Sequence, residues 1–163
     1  MTDAPPRVPR ISRFQQWLAR ERGLQALHVH HGLHIDADRW AQQAAAYSAS
    51  INVPCTVTRV VVDARGQGIE AAARHARRTA FADVLSPDAC MLLAHHREDQ
   101  AETLLLRMLR GASVDGLGAM RACTAHGTGW LARPWLQLPR ATIAAAARQF
   151  GIHWIEDPAN ADP

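Results

Sequence analysis

The sequence predicts an α/β domain, a parallel β-sheet in three layers with helices on both faces. Three observations carry that expectation. Short β-branched or apolar runs alternate three times with longer segments of helical spacing. Glycine or proline marks nearly every change between them. The chain has 163 residues, 48% hydrophobic and 20% charged, which suits one domain able to bury a real core and sets aside disordered and collagen-like architectures.

The elements follow in order. Residues 1–11, with Pro5, Pro6 and Pro9, read as a flexible tail, and 12–163 as the domain. Phe14, Trp17 and Leu18 recur at helical spacing before Gly23, so a helix is expected over 12–22. Leu24 to His30 reads as a strand, and Asp36 opens an alanine-rich helix reaching Ser50 through Trp40, Ala44 and Tyr47. The β-branched run from Thr56 to Val62 predicts a second strand. Gly66 and Gly68 separate it from a helix over Ile69 to Leu85. Cys90 to Ala94 is continuously apolar, as a fully buried parallel strand would be, and Glu98 to Arg110 has helical spacing at Leu104, Leu105 and Met108. A loop-rich stretch with Gly111, Gly116, Gly118, Trp130, Pro134 and Trp135 then leads to a helix near Pro139–Phe150, with proline at the first helical position. An acidic, irregular segment ends the sequence.

The remaining composition narrows the function classes. No run of about 18 apolar residues is present and the N-terminus lacks a signal-peptide core, so a cytoplasmic protein with no membrane role is expected. Cys55, Cys90 and Cys123 are odd in number and lack CxxC spacing, which speaks against a disulfide framework or zinc knuckle and for buried small hydrophobes. The net charge of +3 comes with 18 basic residues, all arginine, and permits a polyanionic partner. No lysine of this chain does chemistry.

Chemistry-bearing residues gather after two of the strands. His28-Val-His-His-Gly-Leu-His34 follows the first, and His95-His-Arg-Glu-Asp-Gln-Ala-Glu102 the third. Parallel strands deliver such loops to one edge of a sheet, so His30, His31, His95, His96 and Asp99 are expected to converge on one cleft. One reading is plain helix capping by Glu98 and Asp99. A second is a metal-dependent hydrolase using His28, His30, His31, His95, His96, Glu98 and Asp99, although Gly32 stands where an HxHxDH pattern needs aspartate.

A third reading comes from resemblance. His30-His-Gly-Leu33, Gly68-Ile-Glu-Ala-Ala-Ala-Arg74 continuing to Arg77, His95 through Thr103, Arg110-Gly111, Gly116-Leu117, Arg133-Pro134 and Trp154-Ile-Glu-Asp157 with Asn160 resemble, in order and spacing, the tRNA(Ile)-lysidine synthetases of the PP-loop superfamily. The resemblance runs from about Leu24 to Asp162. It implies a Rossmann-like, adenine nucleotide alpha hydrolase-like fold and a two-step reaction: ATP adenylates the C2 oxygen of the wobble cytidine of a CAU-anticodon isoleucine tRNA, and free lysine displaces AMP. It also implies site residues. The backbone at Leu27 and Val29 faces adenine; His31, His96, Glu70, Arg74 and Arg77 meet nucleotide or substrate; Asp99 and His95 are catalytic, Asp99 also holding Mg²⁺; and Arg107, Arg110, Arg133 and Arg140 approach the tRNA. Glu70 and Arg74 equally read as a solvated i,i+4 ion pair.

The chain departs from the family pattern in three places. No SGGxDS loop precedes Leu24, so the domain is expected to be partial, truncated at its first strand, with unpaired edges on the strands at 24–30 and 90–94. The C-terminal tRNA-binding domains of the family are expected to be absent too, and Glu98 replaces a more usual aspartate. On that reading the chain by itself does not make lysidine. A homodimer, or a non-catalytic nucleic-acid-binding relic of the fold, is left open.

Overall fold

The computed structural model describes residues 23–66, 68–111, 118–152 and Trp154. The helix expected over 12–22 and the acidic segment after Trp154 lie outside the described residues, as do Gly116, Leu117, Asp157 and Asn160. The chain divides into two compact units, Met1–Ala80 with His153–Pro163, and Phe81–Ile152.

In the first unit, β1 (Ala26–His30) pairs in parallel with β2 (Cys55–Arg59), in a register that sets Ala26 against Cys55 and His30 against Arg59. The connection is α1 (Ala37–Ser50), which presses Ala41 and Ser48, seven residues and about two turns apart, inward. Asn52, not glycine, turns the chain out of α1 with φ of 57°. Its N–H donates to the Ala49 carbonyl and that of Val53 to the Ser48 carbonyl, a Schellman motif that seats Val53 in the core at 4% exposure. β2 is shorter than the β-branched run predicts, because Val60 leaves the ladder after donating its N–H to the His30 carbonyl. α2 (Ile69–Val84) follows; Ala72 and Ala80 are buried in its part of this unit, and the buried Phe81 begins the second.

In the second unit, β3 (Cys90–Leu92), β5 (Gly129–Ala132) and β4 (Cys123–His126) form a sheet in the order β3-β5-β4, parallel between β3 and β5 and antiparallel between β4 and β5. The β4–β5 hairpin, turned on Gly127 and Thr128 with Gly127 at φ 55°, occupies part of the stretch read as loop. Leu131 of β5 is the most deeply buried large side chain, at 1% exposure. α3 (Arg97–Leu109) follows β3, and α4 (Arg140–Gln149) follows β5. Pro139 is the N-cap of α4 rather than its first helical residue.

The α/β class with parallel strands is the one expected. Among the described residues the strands form two sheets, in which β1 pairs with β2 and β3 with β5. The expectation that the strand at 90–94 is fully buried is corrected: Leu92 is 61% exposed and Cys90 is exposed. These two alternate residues share a sheet face with their exposed β5 partner Trp130. The cysteines are likewise corrected, being free thiols that are half-buried at Cys55 and exposed at Cys90 and Cys123.

Candidate functional site

β1 and α2 bring one group of the expected residues together within the first unit. His30 closes β1 at 5% exposure, and its Nε2 lies 3.0 Å from Oδ1 of Asp38 in the first turn of α1. Arg59, its register partner on β2, donates to the same carboxylate oxygen. Nε2 must carry the proton to bond Asp38, so the Arg59 Nη1 approach of 3.4 Å is proximity rather than a second bond. The three residues tie the carboxyl ends of both strands to the start of α1. The Arg59 guanidinium, then His30, holds the exposed Asp38 carboxyl below its usual range.

One residue further on, His31 is half-buried, and its Nδ1 is shut off from solvent without a hydrogen-bond partner. Its pKa is lowered first by desolvation, then by the positive charge of Arg77, then by His28 and His30. His28 is lowered by desolvation and by His30. Arg77 is itself lowered by desolvation and by Arg74. These groups form a corner in which each positive charge opposes the next. Glu70, in the first turn of α2, forms no ion pair with Arg74 among the described residues, so it leaves the corner unneutralised. Leu27 and Val29 sit half-buried in β1, whose edge away from β2 is open among the described residues.

In the second unit the strand-to-helix turn after β3 delivers His95 and His96. The His96 N–H donates to Oδ2 of Asp99 at 2.7 Å, one half of a capping box at the start of α3. His96 Nδ1 lies 3.2 Å from Glu98 Oε2 and 3.4 Å from Asp99 Oδ2. Glu98 Oε2 also accepts the Arg140 backbone N–H at 2.9 Å, and this bond is the main cause of its lowered pKa. Arg97 N–H reaches the Leu138 carbonyl at 3.0 Å, so the starts of α3 and α4 are joined twice. The capping reading is thus realised in part: both carboxylates are engaged with backbone amides.

That engagement bears on metals. Among the described residues no three His, Cys, Asp or Glu side chains are grouped to hold an ion. Asp99 has one oxygen taken by the His96 amide and its other oxygen to offer as a single ligand to magnesium, whereas the histidines do not assemble the grouped set that the metallohydrolase alternative needs. Of the arginines expected to face RNA, Arg110 and Arg140 are exposed, while Arg107 donates to the Gly118 carbonyl. Arg133 is turned inward at 7% exposure, with Nη1 donating to the Arg121 carbonyl at 2.9 Å. Its position in sequence beside Pro134 gave no sign of burial.

The two histidine clusters belong to different units, His28 to His31 with Arg74 and Arg77 to one, and His95, His96 and Asp99 to the other. Sequence reasoning missed the roles of Asp38 and Arg59. No local pattern pairs residues 21 apart; only the β1–β2 register does.

Comparison with known proteins places this arrangement. The chain is 51% identical over 145 residues to the tRNA(Ile)-lysidine synthase of Xanthomonas campestris pv. campestris strain 8004, a match covering 88% of this chain and 33% of that protein. It is 50% identical over 144 residues to the enzyme so named from Xylella fastidiosa strain 9a5c, and 48% identical over 139 residues to that from Pseudomonas fluorescens strain Pf0-1. The chain therefore spans about a third of the length of these relatives. Residues 11–163 match the PP-loop domain, an ATP-binding family, and the chain belongs to that PP-loop domain family.

Proposed function

We propose that this chain is the ATP-handling part of a ligase that modifies tRNA, joining lysine to C2 of the wobble cytidine in a CAU-anticodon isoleucine tRNA. The observation that carries the reading is identity of about 50% across 88% of the chain to proteins of that name, on a PP-loop domain. In the first step the C2 oxygen bonds to the α-phosphorus of ATP, the bond from that phosphorus to the β-phosphate oxygen breaks and pyrophosphate leaves, so that the C2 oxygen becomes part of an AMP leaving group. The chain's own residues then have assignable parts. The corner of His28, His31, Arg74 and Arg77 receives phosphate oxygens, because an anion there offsets the Arg77 charge that, after desolvation, lowers the His31 pKa. Glu70, on the same helix, is suited to the substrate amine. The open edge of β1 at Leu27 and Val29 offers backbone groups to adenine.

In the second step the lysine amine bonds to C2, the C2–O bond breaks and AMP leaves, and the amine's proton passes to a base. Asp99 fills that role, with His95 and His96 beside it to balance phosphate charge. No step is routed through Mg²⁺, since the described residues do not assemble its ligands. Arg107, Arg110 and Arg140 are the RNA-facing candidates. Arg133 is assigned to holding the start of β4 from within. No helix among the described residues is long and apolar enough to cross a membrane.

The test uses the chain alone and the chain joined to the segments that flank the matched 145 residues in the Xanthomonas campestris relative. Each is incubated with ATP, magnesium, lysine and the cognate tRNA transcript, and lysidine is read by mass spectrometry of nuclease digests. Lysidine from the joined protein and not from the chain alone is the expected result. Its absence from both refutes the reading.

A further inference from the structure

The helices α3 and α4 each give their first backbone amide to the other. The Arg97 N–H, first in α3, donates to the Leu138 carbonyl just before α4 at 3.0 Å, and the Arg140 N–H, first in α4, donates to Oε2 of Glu98 at 2.9 Å. The second bond does the work of a cap, satisfying one of the amides that a helix start leaves without an intrahelical partner. The N-cap of α4 is Pro139, whose side chain has no acceptor, and the first turn of α4 holds no acidic residue. A carboxylate 42 residues earlier in the chain supplies the acceptor instead.

Glu98 meets the backbone of Arg140 and not its charge. The Arg140 amide is the first cause of the lowered Glu98 pKa, and the charges that act on this carboxylate are those of Arg97 and His96. The Arg140 guanidinium is exposed and takes no bond or ion pair among the described residues. From the Arg140 amide a line of contacts runs to the base assigned above: 2.9 Å to Glu98 Oε2, 3.2 Å from there to His96 Nδ1, and 3.4 Å on to Asp99 Oδ2. The exposed cation is thereby tied, through its backbone, to the turn that carries Asp99.

We infer that Glu98 is a positioning residue for the RNA substrate: by holding the Arg140 backbone beside the Asp99 turn, it sets the Arg140 guanidinium on a phosphodiester of the strand next to the nucleotide being modified. The inference rests on the tRNA reading given above. Glu98, an anion, does not meet the phosphate itself and acts through Arg140. With the backbone of Arg140 already fixed, only its side chain is left to be ordered when the phosphate arrives, which lowers the entropic cost of the contact. The register of α3 and α4 then decides which phosphate is met, because the two reciprocal amide bonds leave neither helix start free to slide past the other.

Binding of a CAU-anticodon isoleucine tRNA transcript to the whole chain, followed by fluorescence anisotropy over a salt series, tests the inference. Arg140→Ala should weaken binding about threefold or more and reduce the log–log salt slope by roughly 0.7–0.9, one phosphate contact. Glu98→Ala should do the same even though it removes a negative charge. Glu98→Gln removes the same charge but keeps an acceptor for the Arg140 N–H, and should bind at least as tightly as the parent. The double variant Glu98→Ala, Arg140→Ala should be no weaker than Arg140→Ala alone, since both changes remove one contact. Pro139→Ser added to Glu98→Ala gives α4 a cap of its own, and should raise the melting temperature without restoring the salt slope. Equal binding by Glu98→Ala and Glu98→Gln, additive losses in the double variant, or a slope restored by Pro139→Ser each overturns the inference while tRNA binding stands. A chain that binds no tRNA overturns the inference and the RNA reading together.

Discussion

Replacing Gly129 by alanine tests how β5 is seated against the turn after α2. A Cβ at this position would stand 2.6 Å from the Ala89 carbonyl oxygen, 3.1 Å from that of Ser86 and 3.3 Å from Leu85 Cδ2. The first two are backbone atoms already in use: Ala89 O accepts the Trp130 N–H at 2.9 Å, and Ser86 O accepts the Ala89 N–H at 3.1 Å. Relief requires a shift of several tenths of an ångström in the segment that starts β3, with the Trp130 bond stretched or lost. Overpacking of this kind costs about 1–3 kcal/mol and a weakened bond adds about 1 kcal/mol, so a loss of about 2–4 kcal/mol is expected. For a chain of this size that is a fall of roughly 5–12 °C in melting temperature, read by tryptophan fluorescence and urea titration. Gly111→Ala is the matched control. It has open space around its Cβ but φ of 70°, so it should lose only the left-handed penalty of about 1–2 kcal/mol, and Gly111→Asn should recover much of it. A Gly129→Ala protein within about 0.5 kcal/mol of the parent would refute the close seating of β5.

Leu131→Ala should cost about 2–5 kcal/mol in urea titration, since Leu131 is 1% exposed at the centre of the β3-β5-β4 sheet. His28 and His31 have folded pKa values lowered from 6.5, so the unfolded chain takes up their protons first; the stability they contribute is present above pH 6.5 and lost as pH falls from there through the folded values. Melting temperature should therefore drop between pH 7.5 and 5.5, and Arg77→Met, which removes one cause of the His31 shift, should shrink the drop. Inorganic pyrophosphate should protonate the same corner on binding, so calorimetry in buffers of different ionisation enthalpy should show proton uptake that Arg77→Met reduces. Arg133→Met should lower the melting temperature more than Arg110→Ala, because Arg133 holds the Arg121 carbonyl from a buried position whereas Arg110 is exposed.

The sequence by itself determined the strands at 26–30 and 90–92 and all four described helices to within two residues, because β-branched and apolar runs bounded by glycine and proline, and leucines three and four apart, are local signals. It also marked His31, Arg74 and Arg77 as residues to watch. The β4–β5 hairpin stayed hidden, since four-residue strands built on Cys, Ala and Gly carry little β-propensity and are held by pairing with β3 and by the fit of Gly129 against Ala89. Only the tertiary structure decided which polar groups meet. Asp38 joins His30 and Arg59 through the β1–β2 register, Arg133 points inward, and α3 turns Gln100 and Arg107 rather than its leucines toward the 118–120 segment. Periodicity places residues on a common face of a helix, but which face is buried depends on the hydrogen-bond partners that distant segments bring to it.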